Sequence, residues 1–180
     1  MLEPISLDNE QILIHAFRPE EFNRYRQLVD EIYQIFSDEE TLRFIPEKRL
    51  NSVEEAEGWL KTSILNYHCG RNFTHFITDK KSGRLLGMID IVSPSRAREH
   101  YQLKHYPYFI EFYLSSNAKG RKIMTGLLPH IIVQLQQRKI KYLAAVSNRR
   151  NYAALKVLGR AGFEYSSPFD ARQDLYQLQA

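Results

Sequence analysis

The side chains best suited to chemistry gather between Tyr108 and Phe163. An aromatic, apolar run, Tyr108-Phe109-Ile110-Glu111-Phe112-Tyr113-Leu114, carries one carboxylate, Glu111, and a phenol near its end, Tyr113. A polar turn follows, in which Lys119, Arg121 and Lys122 place three positive charges around Gly120. Behind the turn a helical pattern begins. Such a junction suits a phosphate, because a helix N-terminus offers unpaired N–H groups and a partial positive charge. Gly120 permits a tight turn or a close backbone approach. The same residues also describe a plain solvated basic turn, and at this level both readings stand.

The elements around these residues follow from periodicity. Ile123, Leu127, Leu128, Ile131, Ile132 and Leu135 share one face of a helix. Tyr142 to Val146 reads as a second strand, and Asn148 and Asn151 are both good N-caps for a second helix that ends at Ala161-Gly162-Phe163. A strand–helix–strand crossover implies two parallel strands. The basic turn then lies at the carboxyl end of the first, where ligands bind in such sheets. Gly126 and Pro129 fall inside the first helix, and a kink is expected near Thr125–Pro129, since proline removes a helical donor.

Upstream, Gln11 to Phe17 reads as a strand. Pro19-Glu20-Glu21 opens a helix whose apolar face is Phe22, Tyr25, Leu28, Val29, Ile32, Tyr33 and Phe36. Thr41 to Leu50 reads as irregular. Ser52 with Glu55 forms a capping-box pattern, and its helix is expected to bury Val53, Ala56, Trp59, Leu60 and Ile64. Phe73 to Thr78 and Leu85 to Val92 read as strands joined by a hairpin at Gly83. Ser93 to Pro107 reads as a long loop, either functional or simply a surface loop; its His100 and His105 are candidate bases. Tyr165 to Leu178 reads as two short strands.

Lys119-Gly120-Arg121-Lys122-Ile123-Met124 and Asn151-Tyr152-Ala153-Ala154, continuing to Gly162-Phe163, carry a resemblance. The chain resembles the GNAT superfamily of acyl-CoA N-acyltransferases, most of all the branch that includes the ribosomal-protein N-terminal acetyltransferases. The resemblance implies a mixed α/β (α+β) fold. Its central sheet is mostly antiparallel, with one parallel, splayed strand pair and flanking helices, in a single domain over residues 1–180. It also implies acetyl-CoA as acyl donor and a primary amine as acceptor, a protein N-terminus or a small molecule, attacked directly and without a metal. The cofactor-binding residues carried over are Leu114, Lys119, Gly120, Arg121, Lys122, Ile123, Met124, Thr125, Asn151 and Ala154. The pantetheine arm would lie between the strands ending at Leu114 and near Val146. Glu111 is the candidate base, and Tyr113 and Ser147 are the hydroxyls placed to serve the thioester. The connection between the two early helices helps form the acceptor pocket in that family. The chain departs from the motif at Lys122, Met124 and Leu158, where glycine, glycine or alanine, and tyrosine are usual. Those departures motivate an alternative: a GNAT-fold protein that binds acyl-CoA or a protein partner without acetylating.

Composition narrows the remaining classes. The chain has 180 residues, 43% hydrophobic and 26% charged, enough for one folded core. A net charge of +4 favours an anionic ligand but is too small and too dispersed to imply nucleic acid. Cys69 is the single cysteine, so no intrachain disulfide is available. His15, His68, His75 and His130 lack metal-like spacing and read as structural. No apolar run approaches the ~20 residues of a membrane span, and no signal peptide is apparent. A cytoplasmic protein is expected, with a homodimer left open.

Overall fold

The computed structural model describes residues 2–179; Met1 and Ala180, the ends of the expected 1–180 domain, lie outside the described residues. The chain divides into two compact units, Met1–Asp90 with Phe112–Lys119 and Ile91–Glu111 with Gly120–Ala180.

The first unit begins with β1 (Leu7–Asp8) and β2 (Ile12–His15), then a 3-10 helix, Pro19–Arg24, and α1 (Tyr25–Ser37). It continues through α2 (Glu39–Leu42), a second 3-10 turn at Pro46–Lys48, α3 (Val53–His68), β3 (Asn72–Asp79) and most of β4 (Leu85–Val92). β1–β2 and β2–β3 pair antiparallel, with Ile14 opposite Ile77. One core joins α1 and α3 to the strands: Leu28, Val29, Ile32, Ile35 and Phe36 meet Ala56, Leu60, Phe76 and Met88. Full burial of each such large side chain stabilises by about 1.5–3 kcal/mol.

Several sequence expectations are corrected here. Pro19 opens a 3-10 helix rather than α1, and at three residues per turn Phe22 rotates off the α1 face. It is 66% exposed and rests on Phe17 and Tyr25 instead of in the core. Val53 is also exposed, because it is the first residue after the cap. Ser52 Oγ accepts the Glu55 amide at 3.2 Å, but Glu55 reaches back to the amide of Asn51, not of Ser52. The stretch read as irregular contains α2, which Asp38 caps by accepting the amide and hydroxyl of Thr41, each at 2.8 Å.

Two glycines are required by geometry. Gly83 has φ +70° and closes the β3–β4 hairpin through its N–H to the Asp79 carbonyl, 2.8 Å. Gly87 lies so close to the end of β5 (Tyr108–Leu114) that a Cβ there would stand 2.2 Å from the Tyr113 carbonyl oxygen.

The second unit holds α4 (Pro94–His100), α5 (Ile123–Gln137), β6 (Tyr142–Asn148), α6 (Tyr152–Arg160), β7 (Glu164–Pro168) and β8 (Gln173–Gln179). The expected long loop at Ser93–Pro107 thus contains a helix. Ser93 Oγ caps it by accepting the Arg96 amide, and Pro94 takes the first turn. Ala97, Tyr101, Leu103 and Tyr106 pack on Val92, Phe109, Ala144 and Leu175. β6 pairs antiparallel with β8 from Tyr142↔Gln179 to Asn148↔Gln173, two residues beyond its expected end.

The strand order is β1-β2-β3-β4-β5-β6-β8-β7. The class is mixed α/β, mostly antiparallel, with β5–β6 as the parallel pair.

Candidate cofactor and active site

The approach to α5 is shaped by backbone more than by side chains. Gly120 has φ +73° and Lys122 has φ +57°. Lys122 is the N-cap of α5 and makes no side-chain capping bond. The first bond of the helix is Gly126 N–H to Lys122 O, 3.2 Å. The amides of Ile123, Met124 and Thr125 therefore have no acceptor within the helix. A left-handed residue followed by a right-handed one also makes the concave set of N–H groups that binds anions. Arg121 and Lys122 are exposed beside this set. Ile123 and Met124 bury their side chains, at 6% and 2% exposure, so only their backbone faces outward chemistry. α5 continues unbroken from Ile123 to Gln137 across Gly126 and Pro129; no interruption marks the expected kink.

β5 and β6 pair in parallel at Tyr108↔Leu143 and Phe109↔Ala144. Among the described residues that register goes no further, while β6 continues to Asn148 on its other edge with β8. Beyond Ala144, then, one edge of β6 is left without its parallel partner.

At the end of β6, Ser147 is 6% exposed, and its Oγ is shielded from solvent without a hydrogen-bond partner. An unsatisfied buried hydroxyl costs about 1–3 kcal/mol. Asn148 is not the helix cap: its Oδ1 accepts the Arg150 amide at 2.9 Å and its carbonyl accepts the Asn151 amide at 2.9 Å, forming a turn. Asn151 is the N-cap of α6, accepting the Ala154 amide at 3.2 Å. Leu158 and Phe163 are buried, so the later motif positions serve the core.

Glu111 is half-buried on β5, and the Tyr101 hydroxyl stands 3.4 Å from its Oε1. His100 and His105 are exposed. Glu111, Gly120 to Thr125, Ser147, Asn151 and Ala154 all belong to the second unit. Tyr101 was not singled out from sequence, since its partners lie in three separate segments.

The remaining candidates belong to the first unit. Tyr113 is 4% exposed, packed edge-on against Phe36 at 5.1 Å, with Lys48 Nζ 5.4 Å above its ring. The Leu114 carbonyl accepts the Thr41 hydroxyl at 3.1 Å. Lys119 Nζ lies 3.5 Å from Glu40. Burial pushes the Asp38 carboxyl upward, but the hydroxyl and amide of Thr41, with the charge of Lys119, outweigh it and hold Asp38 below the usual range.

Among the described residues no group of three or more histidine, cysteine or acidic side chains is placed to hold a metal ion, and no helix is long and apolar enough to cross a membrane.

Comparison with known proteins agrees with this architecture. No curated protein matches the sequence. Solved structures match over nearly the whole chain. A putative ribosomal-protein-serine acetyltransferase from Vibrio cholerae superposes with a TM-score of 0.72 at 12% identity, covering 98% of each chain. RimL, the ribosomal L7/L12 α-N-protein acetyltransferase, was solved with coenzyme A in a disulfide to a cysteine. It gives 0.69 at 17% identity, again over 98% of each chain. The microcin C7 self-immunity acetyltransferase MccE, solved with acetyl-CoA and AMP, gives 0.69 at 12% identity, covering 96% of this chain and 94% of that one. These identities speak for the fold alone. The acetyltransferase (GNAT) domain model matches residues 15–164, most of the chain, and the chain therefore belongs to the GNAT acetyltransferase family.

Proposed function

We propose that residues 1–180 form a single acyltransferase domain. It moves an acetyl group from acetyl-CoA to a primary amine by direct attack. The observation that carries this reading is the turn into α5: left-handed Gly120 and Lys122, followed by amides without helical acceptors and flanked by exposed cations. That donor set fits a pyrophosphate. MccE and RimL carry acetyl-CoA and coenzyme A in their solved structures, which supports the same donor here.

In this reading the backbone from Gly120 to Thr125 binds the pyrophosphate, with Lys119, Arg121 and Lys122 adding charge. The edge of β6 beyond Ala144 pairs with the amides of the pantetheine arm, as an added strand would. Asn151 and Ala154 border that arm, and Leu114 keeps the cofactor-binding role that the resemblance implies. The acyl group arrives activated as a thioester, so the chain need supply no nucleophile. Glu111 takes the proton of the amine, and Ser147 or Tyr113 returns one to the departing thiolate. The acceptor is a protein N-terminus or a small amine, no nucleic acid or membrane takes part, and the setting is cytoplasmic. Self-association as a homodimer is compatible with this reading.

Three observations favour a non-acetylating reading instead. Leu158 is buried at the position where the resemblance implies a tyrosine, Tyr113 lies in a core, and Ser147 Oγ is shielded from solvent.

Two measurements separate the readings. Acetyl-CoA at a hundred times its Kd should stabilise the protein by about 2.7 kcal/mol, seen as a raised Tm. Gly120→Asp should abolish that rise, and an unaltered rise would remove the turn from the site. With Ser147→Cys, coenzyme A disulfide should exchange to give a protein–coenzyme A disulfide and free coenzyme A. Adduct in the variant, with no turnover by the unsubstituted protein on any amine of a broad screen, would favour the non-acetylating reading.

A further inference from the structure

We propose that Thr125, Gly126, Pro129 and His130 form the subsite for the adenine base of the donor, and that Pro129 and His130 make it selective for a base with an exocyclic amine. The inference rests on the reading of the turn into α5 as the pyrophosphate site. Gly126, Pro129, His130 and Val133 stand at i, i+3, i+4 and i+7, so they share one side of α5. All four are exposed, Val133 at 49%. Ile123, Leu127, Leu128, Ile131 and Ile132 are buried, so the core takes the other side of the helix. The exposed side begins directly behind the amides of Ile123, Met124 and Thr125. From Thr125 to His130 the helix rises about 7.5 Å.

Two hydrogen-bond acceptors are presented there. Pro129 has no N–H, so the Thr125 carbonyl lacks the amide that a helix places four residues on, although α5 itself continues to Gln137. The second acceptor is on His130, whose Nδ1 lies 2.9 Å from the Gly126 carbonyl. A carbonyl oxygen only accepts, so Nδ1 carries the proton, and in the neutral ring Nε2 keeps its lone pair. Gly126 leaves the surface beside them open: nothing lies within 4 Å of where its Cβ would stand. Its φ is not positive, so what glycine supplies here is room rather than a turn. A flat ring can approach the backbone closely at such a position. Adenine stands one ribose beyond the pyrophosphate of coenzyme A, is flat, and carries an amine with two N–H donors. A carbonyl at the same ring position, as in hypoxanthine, would set acceptor against acceptor, and polar groups left unpaired in this way are what discriminate between analogues.

The test is calorimetric and needs no turnover. Coenzyme A and its deaminated analogue, with hypoxanthine in place of adenine, are titrated into the whole chain. The analogue should bind roughly tenfold more weakly. Pro129→Ala returns an amide to the Thr125 carbonyl, and His130→Phe keeps a flat ring without the acceptor. Each should weaken coenzyme A by about threefold and leave the analogue nearly unaltered, so that the ratio between the two ligands shrinks. Equal affinity for both ligands in the unsubstituted protein overturns the inference, and so does a ratio that survives both variants. Gly126→Leu fills the open surface and should weaken coenzyme A while inorganic pyrophosphate binds as before; coenzyme A binding as tightly as before would place the base elsewhere and overturn the inference. Gly120→Asp tests the reading beneath. If it alters the affinity of neither ligand, the pyrophosphate site falls and the base subsite with it. If it abolishes both while the unsubstituted protein makes no distinction between the bases, the pyrophosphate site stands and the base subsite alone falls.

Discussion

Lys122 occupies a backbone conformation that L-residues avoid, at about 1–2 kcal/mol, and glycine would occupy it freely. Lys122→Gly should raise stability by up to about 1 kcal/mol, the relief being partly offset by the greater freedom of glycine in the unfolded chain. Urea melts measure this. The same change removes a cation beside the α5 amides, so acetyl-CoA affinity should become less sensitive to added salt. Ser147 sets a complementary test. Removing its unpartnered hydroxyl as Ser147→Ala should stabilise the fold by about 1 kcal/mol. If that hydroxyl protonates the thiolate, transfer should slow by about 10²-fold even as stability rises. Stability and rate moving in opposite directions would mark a group kept for chemistry.

At the scale of elements, close approach and helix propensity decide opposite outcomes for two glycines. Gly126 lies inside α5 with nothing within 4 Å of a Cβ position and no positive φ. Gly126→Ala should therefore stabilise α5 by roughly 1 kcal/mol, read by thermal melting. Gly87 is the reverse case. A methyl there meets the Tyr113 carbonyl, backbone that cannot give way without parting β4 from β5. Gly87→Ala should cost about 1–3 kcal/mol or more, and hydrogen-exchange protection should fall at the Ser115 amide, which donates to the Leu86 carbonyl there at 2.9 Å.

At the scale of the molecule, pH acts through His15. Burial lowers its affinity for a proton; the Ala16 carbonyl and Glu21 work against that, while Arg18 and Arg24 add to it. The ring bonds fit the neutral form, with Nδ1–H donating to the Ala16 carbonyl at 2.8 Å and Nε2 accepting the Thr78 hydroxyl at 3.3 Å. Its pKa is lower folded than unfolded, so the unfolded chain takes the proton more readily. The stability it contributes is complete above its ordinary value, near 6.5, and is lost as pH falls through the lower folded value. Tm should accordingly drop as pH falls from 7 to 5, and His15→Gln should flatten that slope. An equally steep slope in the variant would remove His15 as the source of the acid sensitivity.

Sequence alone determined whatever short-range rules control. β5 runs from Tyr108 to Leu114 and α5 starts at Ile123 because an apolar run and a 3.6-residue period are written in consecutive side chains. Ser52, Gly83 and Asn151 took their capping and turn roles for the same reason: each answers to partners within four residues. Tertiary structure decided the rest. Ser93-Pro94 carries an N-cap signal, yet the polar stretch behind it becomes α4 alongside an apolar surface assembled from Val92, Phe109, Ala144 and Leu175, which no local window contains. Phe22 left the expected helix face when Pro19 began a 3-10 turn. The left-handed Lys122 could not be read from a residue type that rarely adopts that conformation. The pairing of Tyr101 with Glu111 needed the chain to fold back so that residues 101, 109, 111 and 169 meet. Periodicity and caps report on neighbours in sequence, whereas a site is made of neighbours in space, and only burial of the apolar faces brings those together.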